Sequence, residues 1–190
     1  AADGYDSRPV LFRPYRGLLT FLPEHRRFFF GRQREIDEIG ADLAALIQAK
    51  KPRLIVVAGA SGTGKSSVVL AGLQPSAKGE PAWQLLRMRP GHAPLSALSA
   101  ALVTATEAGR PRLLVVDQFE ELFTHTTDAA QRSAFAQKLW ALACDPVVDT
   151  RVVLTLRVDF IGRCGELLLV PEGPNAVSLD RIAYDEGHRV

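Results

Sequence analysis

Long apolar runs, patterned cysteines and a strong excess of one charge are all missing from this 190-residue chain. No run approaches the roughly 18 apolar residues of a membrane span, and no N-terminal stretch has the apolar core of a signal peptide. The expectation is therefore a cytoplasmic protein with no membrane partner. The two cysteines, Cys144 and Cys164, stand in no C-x-x-C or Cys/His spacing. Neither a zinc site nor a disulfide framework is suggested, and both are expected to be buried free thiols in a reducing compartment. A net charge of +2 is too mild to argue for nucleic acid or a membrane surface. The basic residues are mostly arginine and alanine is abundant, which points to a GC-rich genome sooner than to a binding surface. His25, His92, His125 and His188 are scattered without ligand spacing, and no internal repeat or low-complexity tract occurs.

What is present is an ordinary globular composition, 47% hydrophobic and 23% charged, on a chain long enough to bury a sizeable core. Residues 1–12 mix Asp, Gly, Ser, Arg and Pro without periodicity and read as an arm or linker. Residues 13–30 carry Tyr15, Phe21 and the triplet Phe28-Phe29-Phe30, an aromatic surface expected to pack on the domain. Ile36, Ile39, Leu43, Leu46 and Ile47 follow helical spacing between Arg34 and Lys50, and Pro52 ends that helix. Apolar strands are expected at Leu54–Ala58, Trp83–Met88, Leu113–Val116 and Arg151–Leu156, with a last one over Ala176–Ile182. Helices are expected at Ser67–Leu73, at Leu95–Ala108 with Gly109 as a stop, and at Ala129–Ala143. Strands alternating with helices predict an α/β fold with a parallel sheet, whose ligands collect at the strand carboxyl ends.

Gly59-Ala60-Ser61-Gly62-Thr63-Gly64-Lys65-Ser66 is a complete G-x-x-x-x-G-K-[S/T] string, set between an apolar run and a helix-compatible one. That context is the point, because backbone N–H groups at a helix mouth hold phosphates. The glycines let the backbone curl around an anion, Lys65 can reach the β- and γ-phosphates, Ser66 can ligate Mg²⁺, and Ser67 continues the cradle. The expectation is a nucleoside triphosphate ligand.

Leu113-Leu114-Val115-Val116-Asp117 is the Walker B pattern, four apolar residues leading into an acid. Asp117 would hold Mg²⁺, directly or through water, opposite Ser66. Glu120 or Glu121 could polarise the attacking water as a general base, or both could be solvated acids opening the next helix. Arg157, ending its strand, is a candidate sensor of the γ-phosphate, or else a partner of Asp159 or Asp117. Phe30-Gly31-Arg32 places an aromatic beside an accessible backbone, a combination that can cradle adenine.

Together these strings resemble one family. Pro14-Tyr15-Arg16-Gly17-Leu18, Phe29-Phe30-Gly31-Arg32 with Glu35-Ile36, the loop GASGTGKS running on to Ala71-Gly72-Leu73, the run DQFEELF at 117–123, and LRVDF at 156–160 with Gly162-Arg163-Cys164 are similar to the novel STAND NTPase type 1 domain. This is a bacterial branch of the signal-transduction ATPases, and the resemblance covers about residues 13–182. It implies a three-layer P-loop NTPase sandwich around a mostly parallel five-stranded sheet of the additional-strand, AAA+/STAND-like type. The strand ending at Arg157 would separate the phosphate-loop strand from the Asp117 strand, Arg157 would be the sensor-1 arginine, and the Phe-Gly-Arg segment would contact adenine. Two departures stand out: Gln33 replaces an acid that is common there, and 167–175 lacks the usual helix before the last strand.

On that resemblance residues 13–190 form the NTPase core of a larger protein, cut short on its C-terminal side. ATP/ADP and Mg²⁺ are the implied cofactors. Sensor-repeat and effector domains of the same polypeptide, and a nucleotide-dependent homo-oligomer, are the implied partners; nucleic acid is not. The implied function is an ADP/ATP switch in signal transduction, reset by slow hydrolysis. Two other classes stay open: a nucleotide-binding scaffold that never turns over, and an AAA+-like ATPase acting on DNA. No N/T-K-x-D string reads guanine, which leaves adenine as the default base.

Overall fold

Four segments pair side by side, and the apolar runs at 113–116 and 152–156 are buried on both faces and need helices above and below them. In the computed structural model the described residues are 19–73, 83–105, 109–165, 167 and 182–183. Strands β1 (Leu54–Gly59), β2 (Gln84–Met88), β3 (Arg112–Val116) and β4 (Thr150–Arg157) form a parallel sheet in the order β2-β3-β4-β1. β4 thus lies between β1 and β3, with Ala58 opposite Leu156 and Val116 opposite Leu154. The two residues of β5 (Ile182–Ala183) run parallel to β1 at Val56 and Val57. Apart from Ile182, the strand expected over 176–182 lies outside the described residues, as do the arm at 1–12 and the string at 14–18.

Side-chain alternation sorts the core into two layers. Leu113, Val115, Val153 and Ile55 face Ile39 and Leu43 of α1 (Gln33–Gln48) and Val68, Val69, Leu70 and Leu73 after the loop. Leu114, Val116, Val152, Leu154 and Leu156 face the opposite way, onto α3 (Pro94–Val103) and α5 (Ala129–Cys144). Phe135 and Leu139 of α5 are wholly buried there, each contributing about 1.5–3 kcal/mol of transfer free energy. Asp128 starts α5 by accepting from the amides of Ala130 and Gln131 at 2.8 and 3.4 Å, a side-chain N-cap.

Two elements differ from the periodicity reading, and so does the burial of one thiol from its expectation. Helix α3 stops at Val103 instead of continuing to Ala108. Thr104 Oγ1 donates to the Ala101 carbonyl at 2.6 Å and Gln84 Nε2 donates to the Thr104 carbonyl at 3.0 Å, so side chains terminate it before Gly109 is reached. The helix after the glycine-rich loop is α-helical only in α2 (Lys65–Ser67), and Val68–Gly72 then widens into π-helical turns, with Leu73 N donating to the Val68 carbonyl at 3.1 Å. Of the two thiols, Cys164 is buried as expected but Cys144 is exposed at the end of α5. The short helices α4 (Glu121–Thr124) and α6 (Ile161–Cys164) follow β3 and β4.

The π-helical segment is packed hard against α1. A Cβ at Gly72 would stand 2.7 Å from both Cγ1 and Cδ1 of Ile36. Gly72→Ala is therefore expected to destabilise the domain by about 1–2 kcal/mol through overpacking. That is a drop of about 2–8 °C in Tm for a chain of this size, read by thermal melting. An unchanged Tm would show that Ile36 yields without cost.

Candidate functional site

β1 ends at Gly59, and the chain turns through Gly62 (φ 80°) and Gly64 (φ 86°) before entering α2. Both glycines are left-handed, a conformation that costs an L-residue about 1–2 kcal/mol, so the loop needs them. Ala60, Ser61, Gly62 and Thr63 are exposed at its tip. Thr63 Oγ1 donates to the Ala60 carbonyl at 2.9 Å. Lys65 folds its chain back across the loop, and its Nζ donates to the carbonyls of Gly59 and Ala60 at 2.9 and 2.7 Å. The ammonium is thus held against the loop that leads into α2. Partial burial holds the Lys65 pKa below the ordinary lysine range; nearby Glu120 opposes that shift and Arg157 adds to it.

Asp117 lies directly after β3, wholly buried. Its Oδ1 accepts from Ser66 Oγ at 2.5 Å and from Thr155 Oγ1 at 2.9 Å. Its Oδ2 faces Arg87 Nη2 and Arg89 Nη2, each at 3.4 Å. One carboxylate thus ties together the ends of all four long strands: Ser66 from the loop after β1, Arg87 and Arg89 from β2 and the residue beyond it, Thr155 from β4. The sequence reading brought out Ser66 and Asp117 but missed Thr155, Arg87 and Arg89. Their signals were present: a hydroxyl inside the apolar β4, and two arginines at a strand carboxyl end.

Gln118 has φ 56° and swings the chain back over β4, with its amide donating to Thr155 Oγ1 at 2.8 Å. A non-glycine residue in that region is uncommon; it turns the chain ahead of both glutamates, whose consecutive helical positions carry them to different partners. Glu120 Oε2 accepts from the Arg157 amide at 3.3 Å, on the Lys65 side. Glu121 Oε2 accepts from the Gly91 amide at 3.2 Å and lies 3.9 Å from His125 Nδ1. Beside it the rings of His92 and His125 stack with centroids 5.0 Å apart, a contact that their positions in sequence do not announce. Glu121 therefore braces the turn before α3, while Glu120 faces the loop crevice.

The register puts Arg157 opposite Gly59, beside the loop. Its guanidinium is paired to Asp159, Nε to Oδ1 at 3.1 Å and Nη2 to Oδ2 at 2.7 Å. That hydrogen-bonded pair holds the Asp159 carboxyl below its usual range. Of the two arrangements the sequence left open for Arg157, the described one is the Asp159 pair. Phe30 is 80% exposed and Gly31 and Arg32 are exposed with it, so the expected packing of the aromatic triplet does not extend to Phe30. Arg32 is engaged with Glu35 at 2.5 Å. Phe29 instead lines a small cleft with Arg26, Gln33, Ile36, Ala71 and Gly72. Ser67 is buried, and its Oγ accepts from the Phe21 amide at 3.0 Å, fastening the segment before α1 to the start of α2.

The donor set suits Mg²⁺, which takes hard oxygen ligands from one or two side chains and completes its shell with phosphate and water. Ser66 and Asp117 supply such oxygens side by side. Among the described residues no group of three or more His, Cys, Asp and Glu side chains could hold a metal by itself. Nor is any described helix long and apolar enough to cross a membrane.

A parallel sheet flanked by helices, with a glycine-rich loop entering a helix beside a buried acid, defines a P-loop-like nucleotide-binding domain. The model of one family, Novel STAND NTPase 1, matches residues 14–178, and the chain belongs to that family. It is accordingly an NTPase-type module that binds nucleotide. No curated protein matches the chain.

Proposed function

We propose that this chain is the ATP-binding regulatory core of a bacterial signalling protein, a conformational switch that holds ADP or ATP, uses Mg²⁺ at the terminal phosphates of ATP and is reset by slow hydrolysis. The observation that carries the reading is the 2.5 Å hydrogen bond from Ser66 to the buried Asp117, which unites the two halves of a metal-phosphate site from β1 and β3. In this reading Gly59 to Ser67 cradle the phosphates, with Lys65 as their cation, and Phe30, Gly31 and Arg32 contribute on the adenine side. Ser66 and Asp117 are the residues that would hold Mg²⁺, which supplies charge neutralisation at the terminal phosphates when bound. Glu120 orients the attacking water and accepts its proton. Arg157 reads the γ-phosphate once it leaves Asp159.

The sheet order β2-β3-β4-β1, with β5 beside β1, supports assignment to the five-stranded additional-strand class. The wider expectations belong to the same proposal: a cytoplasmic location, a core beginning near residue 13, sensor-repeat and effector domains in one polypeptide, and a nucleotide-dependent homo-oligomer.

The distinct surroundings of the two glutamates give a direct test. Glu120→Gln is expected to lower basal ATP turnover at least about tenfold, within the range of a lost general base, while nucleotide affinity stays within about threefold. Glu121→Gln keeps an oxygen for the Gly91 amide, and its turnover is expected to stay within about twofold of wild type. A released-phosphate assay with a fluorescent-nucleotide titration reads both. Equal losses in the two variants would remove Glu120 from its role. A second reading, a scaffold that binds nucleotide without hydrolysis, is favoured by one observation: Arg157 is occupied by Asp159. It predicts no ATP turnover above background in wild type or in either glutamate variant.

A further inference from the structure

Asp117 is served differently on its two oxygens. Oδ1 is taken by the hydroxyls of Ser66 and Thr155. Oδ2 is met by two guanidinium groups, from Arg87 and Arg89, 3.4 Å away each. The carboxylate is fully buried, whereas the arginine side chains are 36% and 43% exposed. A buried carboxylate requires a counter-charge, and here two positive charges answer one negative one. Arg87 lies in β2 opposite Val115 of β3, and Arg89 follows Met88, opposite Val116. The sheet therefore holds both beside Asp117 independently of any ligand.

We infer that Arg87 and Arg89 are a built-in substitute for the metal's charge at Asp117, so that they compete with Mg²⁺ and let a nucleoside diphosphate bind without it. This rests on the nucleotide-site reading above. The reasoning is electrostatic. A divalent cation placed between Ser66 and Asp117 would meet two like charges on the far side of the same carboxylate. Charges at such separations interact strongly where water is largely excluded. A diphosphate, held by the loop and Lys65, meets a site whose acid is already neutralised and needs no metal to offset Asp117. A triphosphate brings an additional phosphate oxygen that can share the metal, so metal binding is recovered when the γ-phosphate is present. The two arginines thereby become positioning groups that make metal dependence differ between the two nucleotides.

The test uses the chain as it is, with a fluorescent ADP analogue titrated in Mg²⁺ and in excess chelator, and Mn²⁺ binding followed by electron paramagnetic resonance. For wild type, ADP affinity is expected to change by less than about threefold on metal removal. In the R87Q/R89Q double variant, which keeps hydrogen-bonding side chains, Mn²⁺ in the presence of ADP is expected to bind at least tenfold more tightly. Its ADP affinity should then fall at least tenfold on chelation. The R87K/R89K variant keeps the charge and should follow wild type within about threefold, which separates charge from packing. Unchanged or weaker Mn²⁺ binding in R87Q/R89Q would overturn the inference, weaker binding assigning the arginines to phosphate instead. If R87Q/R89Q fails to fold, R87Q and R89Q singly must each show part of the tightening, and its absence from both overturns the inference. Wild type that binds no nucleotide, with or without metal, would overturn the site reading itself, an outcome distinct from nucleotide binding with unaltered metal dependence.

Discussion

Lys65→Ala is expected to weaken nucleotide binding at least about a hundredfold, about 2.7 kcal/mol, while the fold survives. The side chain lies across the loop it serves, with Nζ on the Gly59 and Ala60 carbonyls, so its ammonium is already placed and little ordering remains when phosphate arrives. Charge-assisted hydrogen bonds contribute about 1.5–3 kcal/mol each, and Lys65 can offer more than one to the phosphates. Partly buried and hydrogen-bonded to loop carbonyls, Lys65 is not part of the core, and the melting temperature should move little. A fluorescent-nucleotide titration beside a thermal melt separates the two effects. Affinity within threefold of wild type would place the phosphate site elsewhere than 59–66.

The same residue sets a pH dependence with a definite sign. Burial holds the Lys65 pKa in the folded chain below its unfolded value. Its contribution to folding stability therefore increases as pH rises through the folded pKa. Nucleotide binding requires the ammonium and should move the opposite way, falling on the alkaline side sooner than an exposed lysine would allow.

Asp117→Asn is expected to abolish the metal dependence of triphosphate binding and to lower stability by about 2 kcal/mol. The isosteric amide can keep its oxygen toward Ser66 and Thr155, but it then turns an NH₂ group toward Arg87 and Arg89. Breaking a buried ion pair costs about 3–5 kcal/mol when the orphaned charge stays buried. Here the stranded guanidinium groups are partly exposed and can hydrate, which sets the smaller figure. Asp117→Ala, which leaves the Ser66 and Thr155 hydroxyls without their acceptor, should cost about 3 kcal/mol. Both are read by thermal melting and by nucleotide titration with and without Mg²⁺. A variant that melts like wild type and still requires Mg²⁺ would show that Asp117 bears neither load.

Much of the frame was legible because each apolar run had one period. Leu113–Val116 and Arg151–Leu156 are continuous because both faces of those strands are covered, and each is observed within a residue or so of its expected limits. Helix α1 likewise matches its spacing, since Ile39 and Leu43 form its buried stripe. The glycine-rich loop was readable because its geometry requires particular residues at particular offsets. Helix α3 was overestimated because alanines have no clear face, so periodicity could not show where the Thr104 and Gln84 side chains would end it. The π-helical turns were not readable either: they pack on α1 where Gly72 lies beside Ile36, residues 36 apart in number and adjacent only in space.

By itself the sequence determined a phosphate-type loop, an acid at a strand end, two glutamates and an arginine at the end of the following strand. Those are local features, written in spacing and residue type. Tertiary structure alone decided how they divide the work. Insertion of β4 between β1 and β3 brings Thr155 to Asp117 and the Arg157 amide to Glu120, while the next residue, Glu121, meets the Gly91 amide. Strand β2, placed on the far side of β3, delivers Arg87 and Arg89 to the buried carboxylate of Asp117. Side-chain pairing across a parallel sheet depends on strand order and register, which no single stretch of the chain encodes.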